Sequence, residues 1–444
     1  MTIPRTICLG FLAMITVGTF LLILPFSTHD GTWTDPITAL FTATSAVCVT
    51  GLAVVDTGSY FSGVGQFFIL ALFQLGGLGY MTTTTFMLLL VRRKFNLRHK
   101  IAIQQAFDRP GLEKSSFVIR SIIATALIFE LTGFFLLLLV FVPDQGWDQG
   151  LWLSIFHSIS AWNNAGFSLF SDSLMGYQSS VWLLVIISGL IVLGGIGQPV
   201  LFELYLWLRD IFKYKREKLT FSLNFKVVTS TTLFLLILGT IAFFFVEVNN
   251  PDILGNLSFR DKLLSAWFQS VTTRTAGFNT IDISQMTAAG LFMTIAFMFI
   301  GASPGGTGGG MKTTTFRVLA NCTKAILQGK EEVYLYRRQV PLNLILKATA
   351  VLVGSVTTVI ISTILIAITD PHIPFIQLLF EVVSAFATVG LSTGITASIS
   401  ALGKLILVAT MFIGRVGIIA FMATLLGDPH PSHIRYPEEN LLVG

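Results

Sequence analysis

Charge is what this chain has least of. Its 444 residues include 28 Lys or Arg and 23 Asp or Glu, 11% in all, where a soluble protein carries about 25%. That shortage excludes an ordinary water-soluble domain, and no nucleic-acid partner is expected. Cysteine is scarce too. Cys8, Cys48 and Cys322 are odd in number and scattered, so neither a disulfide framework nor a zinc spacing is indicated. Of six histidines, five (His29, His99, His372, His430, His433) lie in polar loops or the tail, and His157 has no acidic neighbour in its own segment. What the chain does have is apolar surface: 53% hydrophobic residues, 39 Phe and a mean hydropathy of +0.78. It reads as an integral membrane protein with the lipid bilayer as its main solvent. Ile7 to Phe26 follows Arg5 and is long enough to span. It lacks a small-residue cleavage site, so a retained helix is expected rather than a signal peptide.

One short pattern organises the sequence. Val49-Thr50-Gly51-Leu52 returns as Ala165-Gly166-Phe167, Thr275-Ala276-Gly277-Phe278 and Thr388-Val389-Gly390-Leu391. The glycines are spaced by 115, 111 and 113 residues. Four equivalent units with one glycine turn each suggest a ring around an axis.

Each unit has three parts. A long apolar run opens it, at 7–26, 117–142, 224–246 and 343–368. A shorter helix-like piece follows: Ile37–Val47, Leu151–Trp162, Leu263–Val271 and Phe375–Phe386. At about 10 to 12 residues it cannot cross ~30 Å of hydrocarbon, so it must enter and turn back at the glycine. A second long apolar run closes the unit, at roughly 64–91, 181–208, 287–320 and 401–426. Two spans per unit make eight.

A non-helical turn at membrane depth leaves carbonyls unpaired, which is tolerated only inside protein or beside a water-filled cavity. Four such turns around one cavity would form a carbonyl cage of the kind that replaces an alkali cation's hydration shell. Glycine suits it, because its backbone reaches conformations that a side chain forbids and lets a ligand approach closely. Six positions before the glycines stand Ser45, Ser160, Val271 and Ser384, small or β-branched in every unit.

Lysine and arginine concentrate between units: Arg92, Arg93, Lys94, Arg98, Lys100, Arg109 and Lys114, then Arg209, Lys213, Lys215, Arg216 and Lys218, then Arg317, Lys324, Lys330, Arg337 and Arg338. Loops within units are poor in both. The positive-inside rule therefore puts the inter-unit loops and both termini in the cytoplasm.

Asp56, Asp172 and Asp282 follow the glycines of units one to three by five or six residues. They either concentrate cations at a pore mouth or cap the next helix, and the two roles are compatible. Unit four has Ser392 and Thr393 there. A second glycine-rich stretch, Gly301-Ala302-Ser303-Pro304-Gly305-Gly306-Thr307-Gly308-Gly309-Gly310, interrupts the last run of unit three. Six glycines and a proline cannot hold a helix, at about 1 and 3 kcal/mol each against alanine. A flexible gating loop below the glycine turns is expected, where units one, two and four carry only Gly76-Gly77, Gly194-Gly195 and Gly414. Ser303 also matches the G-x-S-x-G nucleophile elbow. That elbow needs a strand-to-helix turn and a triad histidine, so an intramembrane serine hydrolase is the weak alternative and an enzyme is not expected. Gly305–Gly310 before Met311-Lys312-Thr313 likewise lacks the parallel strand of a phosphate loop. Arg415 falls about 14 positions, ~21 Å, into the last helix. An intramembrane arginine faces a cavity or a partner. It raises a barrier to cations, holds the loop through carbonyls, or pairs with Glu130 or Glu381.

Together, Thr44–Thr57, Asn163-Asn164-Ala165-Gly166-Phe167-Ser168, Arg274–Asn279, Thr388–Ser392 and Phe412-Ile413-Gly414-Arg415 resemble the Trk/Ktr/HKT superfamily of potassium transporters, and within it the bacterial Ktr-type membrane subunit. The resemblance covers essentially the whole chain. It implies an all-α membrane protein of four tandem membrane–pore–membrane repeats around one pseudo-fourfold pore, with eight transmembrane helices and four re-entrant pore helices. The repeats would occupy 1–98, 115–212, 222–325 and 340–430, with a cytoplasmic tail at 431–444. It implies a selectivity filter at Val49, Thr50, Gly51, Asn164, Ala165, Gly166, Thr275, Ala276, Gly277, Thr388, Val389 and Gly390. It implies a gate at 301–310 with Arg415, although Ser303-Pro304 stands where small flexible residues belong. It further implies potassium as the transported ion, sodium dependence as a family trait, no cofactor in this chain, a homodimer, a cytoplasmic ring of nucleotide-binding RCK/KTN subunits, and a bacterial plasma membrane location. In the plant relatives, a serine at the first glycine goes with sodium permeation. Gly51 therefore implies potassium selectivity, and a sodium-driven symporter is the nearest alternative.

Overall fold

The computed structural model describes residues 3–79, 115–212 and 220–427. The basic cluster 92–114, Lys213, Lys215, Arg216, Lys218 and the tail 431–444 lie outside the described residues. Helices are numbered in chain order. Unit one holds α1 (Ile3–Ile23), α2 (Pro36–Val47) and α3 (Gly63–Leu78). Unit two holds α4 (Ser115–Gln145), α5 (Trp147–Trp162), α6 (Val181–Ile196) and α7 (Gln198–Phe212). Unit three holds α8 (Leu223–Glu247), α9 (Phe259–Thr272), α10 (Ala288–Phe299) and α11 (Thr313–Leu327). Unit four holds α12 (Leu342–Thr369), α13 (Phe375–Ala387), α14 (Ala401–Val416) and α15 (Ile418–Leu426).

The opening helices α1, α4, α8 and α12 are each long and apolar enough to cross a membrane. Several of their hydroxyls are satisfied within the helix, as lipid favours: Thr16 donates to the Leu12 carbonyl at 2.8 Å and Thr240 to that of Leu236 at 2.7 Å. Apolar side chains such as Phe20, Leu139, Phe245 and Ile368 remain exposed on them, and lipid can cover these. Exposed Trp33, Trp147 and Trp182 all lie at the end where the pore helices begin, the interfacial position tryptophan favours.

The pore helices α2, α5, α9 and α13 are 12, 16, 14 and 13 residues long, so none reaches across. Polar residues start several helices. Asp35 accepts from Thr38 N at 3.0 Å ahead of α2, with Pro36 in the first turn. In units three and four a buried carboxylate at the end where the pore helix begins staples the first helix to the last. Glu247 accepts from Thr287 N and Oγ1 at 3.1 and 2.7 Å, and Asp370 from Ser400 N and Oγ at 2.8 Å each.

The closing runs of units two and four differ from expectation. The sequence reads as one continuous apolar stretch in units one, two and four, with a break only in unit three. In the structure α6 turns by 103° into α7, and α14 by 100° into α15. The turns sit at Gly197 (φ +96°) and Gly417 (φ +87°), and α3 ends at Gly79 (φ +81°) in the same conformation. A left-handed residue ends a helix, and glycine takes it without a Cβ clash. So the closing runs of units two and four bend sharply at these glycines, each with its first half beside the pore helix. The units then close on each other. Unit four meets unit one where Arg5 Nε donates to the Thr424 carbonyl at 3.2 Å. Unit one meets unit two where Trp152 Nε1 donates to Gln66 Oε1 at 2.7 Å.

Candidate ion pathway

Each pore helix ends in the same backbone signature. Val49, Asn164, Thr275 and Thr388 all have positive φ (57°, 56°, 70° and 51°), and the glycine two residues on is left-handed as well (Gly51 89°, Gly166 70°, Gly277 79°, Gly390 92°). Positive φ is uncommon outside glycine and an outlier for a β-branched residue. Three such outliers, Val49, Thr275 and Thr388, in register with Asn164, are strain held by their surroundings. The sequence placed these residues in the filter by resemblance but carried no signal for the left-handed backbone two residues before each glycine.

The strain points the backbone one way. Thr50 N, Ala165 N and Val389 N turn back to the carbonyls of Ser45, Ser160 and Ser384 at 2.7–2.8 Å, and Ala276 N to Thr272 at 3.0 Å. The carbonyls of these turns are then free to face inward. A Cβ built on Gly51 would sit 2.6 Å from the Ala165 oxygen, and one on Gly166 3.0 Å from the Ala276 oxygen. On Gly277 it would collide with the Val389 oxygen, and on Gly390 with the Thr50 oxygen. Each glycine thus abuts the carbonyl before the next unit's glycine, and the fourth abuts the first. The ring is closed, in chain order. The eight non-glycine residues of the candidate filter are all 0% exposed.

Of the four positions six before the glycines, two brace the turns directly. Ser160 Oγ donates to the Phe167 carbonyl at 2.8 Å, and Ser384 Oγ accepts from Gly390 N at 3.1 Å. In unit three the neighbour of Val271 takes over, Thr272 donating to the Phe278 carbonyl at 2.5 Å. Ser45 Oγ is buried with no hydrogen-bond partner. Asn164 turns its amide nitrogen to the Ala161 and Ile191 carbonyls, leaving its oxygen toward Thr275 Oγ1.

A cavity of about 280 Å³ opens above the ring, lined by all four glycines. Asp56 lines it too, while Asp172 and Asp282 do not. Asp56 and Asp282 are N-caps, accepting from Gly58 N at 3.1 Å and Ser284 N at 3.0 Å, and Asp172 accepts from Gly176 N at 3.2 Å within its loop.

Below the ring lies the 301–310 loop. Hydrogen bonds to neighbouring units hold it in place in this conformation. Its ten residues cannot bond among themselves as a helix, so neighbouring units satisfy them. Ser303 N and Thr307 N donate to the Gly195 and Gly194 carbonyls at 3.0 and 3.3 Å, and Gln198 N to that of Gly305 at 3.0 Å. Gly309 N donates to Thr388 Oγ1 at 3.0 Å, so the loop touches the candidate filter of unit four. Two cations grip its inner carbonyls. Arg415 donates through Nη1 to Thr307 O and through Nη2 to Gly76 O. Lys312 Nζ donates to Gly308 O at 2.7 Å. Sequence reasoning met Lys312 only inside a rejected phosphate-loop match. Its place two residues past the glycines was the available signal.

The suggested ion pair of Arg415 is absent among the described residues. Glu130 accepts instead from Gln74 Nε2 at 2.8 Å, and Glu381 from Thr396 Oγ1. Gly76 lies in the last turn of α3, where its carbonyl also accepts from Gly79 N at 3.1 Å, so the guanidinium is a second donor at that helix end. Ser303 Oγ meets Thr313 Oγ1 at 2.8 Å, and among the described residues no histidine or acid hydrogen-bonds to it, so they form no triad there.

The family model described as a cation transport protein, TrkH, matches residues 10–431. This chain belongs to the TrkH cation transport family. TrkH-family members are transporters, not enzymes, and the several apolar helices agree with a multi-pass membrane protein. The chain is similar to Ktr system potassium uptake protein B of Bacillus subtilis, 40% identical over 444 residues, covering 100% of this chain and 97% of the relative. It is similar to the potassium/sodium uptake protein NtpJ of Enterococcus hirae, 38% identical over 448 residues, covering 99% and 97%. Among solved structures, the crystal structure of the potassium transporter TrkH from Vibrio parahaemolyticus aligns with a TM-score of 0.74 at 18% identity, over 95% of this chain and 84% of that one. That likeness establishes the mostly helical TrkH fold.

Proposed function

We propose that this chain is the potassium-translocating subunit of a bacterial uptake system. The observation that carries the reading is the closed ring of four glycine turns, each glycine against the next unit's carbonyl. Potassium enters the cavity past Asp56 and sheds water onto the carbonyls of 49–51, 164–166, 275–277 and 388–390. It then meets the 301–310 loop, held shut by Arg415 and Lys312. Inward movement is driven by the membrane potential, worth ~2.3 kcal/mol per charge per 100 mV. Both termini and the inter-unit loops face the cytoplasm. A homodimer bound to a ring of RCK/KTN nucleotide-binding subunits opens the loop. The Ktr relative is named as a lettered component of a system, which supports such partners.

The test is potassium uptake in cells lacking their own systems, wild type against Gly51→Ser. Restored uptake, with potassium preference over sodium lost in the variant, supports the filter. Uptake indifferent to Gly51→Ser refutes it. Sodium coupling is a second reading, favoured by the Enterococcus hirae relative named for both ions. It requires stoichiometric sodium entry with each potassium.

A further inference from the structure

The ring is fourfold in its backbone but only twofold in what stands behind it. Because the glycines abut in chain order, unit two faces unit four across the axis, and unit one faces unit three. In unit two the pore-helix residue nine before the glycine is His157, fully buried. Its Nδ1 meets the Leu153 carbonyl at 2.9 Å, and its Nε2 meets Ser168 Oγ at 3.0 Å, two residues past the glycine. In unit four the same position is Glu381, also fully buried. The Thr396 hydroxyl donates to it, and Thr396 Oγ1 meets Ser392 Oγ at 2.9 Å, again two residues past the glycine. Each brace ties the pore helix to the far side of its turn. On the other diagonal the position holds Thr42, whose buried hydroxyl has no partner, and Phe268. The residues two past the glycine there are Ala53 and Asn279, and neither is reached from the pore helix.

We propose that His157 and Glu381 are positioning residues that stiffen two opposite walls of the filter and thereby set the discrimination of potassium from sodium. This rests on the reading of the four turns as the filter. A smaller ion is coordinated well only if the carbonyls close in around it, and a turn tied at both ends resists that collapse. The other diagonal lacks this brace at the position nine before the glycine, although Thr272 still holds the Phe278 carbonyl in unit three, and it is left to accommodate dehydration and passage. Neither side chain touches the ion.

The chain supplies its own test substitutions. His157→Phe installs the residue that unit three uses, and Glu381→Thr the one that unit one uses. Uptake ratios of potassium to sodium are measured on the complete assembly in vesicles, after size exclusion confirms assembly. The double substitution is expected to lower the ratio about tenfold, the scale of two net hydrogen bonds lost. His157→Gln and Glu381→Gln keep an acceptor and are expected to stay within about twofold of wild type. Glu203→Gln, far from the ring at Ser222, is the control. If the double variant does not assemble, Ser168→Ala and Ser392→Ala cut the same braces from the cavity side. A wild-type ratio in assembled protein overturns the proposal. Gly166→Ser separates the two failures. If it shifts the ratio while the brace variants do not, the filter stands and the braces fall. If neither shifts it, the filter reading fails as well.

Discussion

Replacing Arg415 separates its two suggested roles, barrier and clamp. Its guanidinium donates to Thr307 O of the loop and to Gly76 O at the end of α3, so one side chain joins units four, three and one. Charge-assisted hydrogen bonds are worth about 1.5–3 kcal/mol each. Two of them give about 3–6 kcal/mol gross, against which stands the cost of keeping a charge out of water. A net loss of about 1–3 kcal/mol from the closed state raises the open fraction about 5- to 150-fold. Arg415→Gln removes the charge and can keep at most part of the bonding. Arg415→Lys keeps the charge but lacks the planar fork that reaches two carbonyls. If the arginine acts as a clamp, both variants should raise potassium uptake measured without any regulatory subunit, Gln the more. Both should also lower the melting temperature in detergent. If it acts only as a charge barrier, Arg415→Lys behaves as wild type. Unchanged uptake and unchanged melting in both variants would refute the clamp, and with it the view that the loop is held shut from unit four.

Two further outcomes are expected. Asp370 is buried at the outer end of α12; burial alone would raise its carboxyl, but donors from Thr369 and Ser400 together with nearby His372 outweigh it and hold the group below its usual range. Its stabilising contribution is therefore present above about pH 4, the ordinary carboxylate value, and fades as pH falls through the lower folded value. Asp370→Asn should melt lower than wild type at pH 7, with the gap narrowing in acid; a pH-independent gap would show that the carboxylate charge plays no part. Ser303→Ala removes only the bond to Thr313 Oγ1 and should leave uptake within about threefold, as one neutral hydrogen bond implies. Abolished uptake would mean that the loop depends on that hydroxyl.

The sequence by itself determined the membrane class, the four units and the four glycines. Apolar run length is a local property, read against a fixed bilayer thickness, and the repeat makes each reading four times over. It also located 301–310, because six glycines and a proline exclude a helix whatever surrounds them. It missed the breaks at Gly197 and Gly417. A single glycine costs a helix only about 1 kcal/mol, so whether it bends depends on what packs on either side. Gly197-Gln198-Pro199 did carry a terminator signal, glycine followed closely by proline; Gly417 carried none. Ring order, the left-handed Val49, Asn164, Thr275 and Thr388, and the partner of Arg415 were decided by tertiary structure alone. Residues more than 100 positions apart meet there, and no local pattern encodes which carbonyl a buried guanidinium will find. The same holds for His157 and Glu381. Each is one polar residue on an apolar helix until the fold sets a serine from beyond the turn within reach.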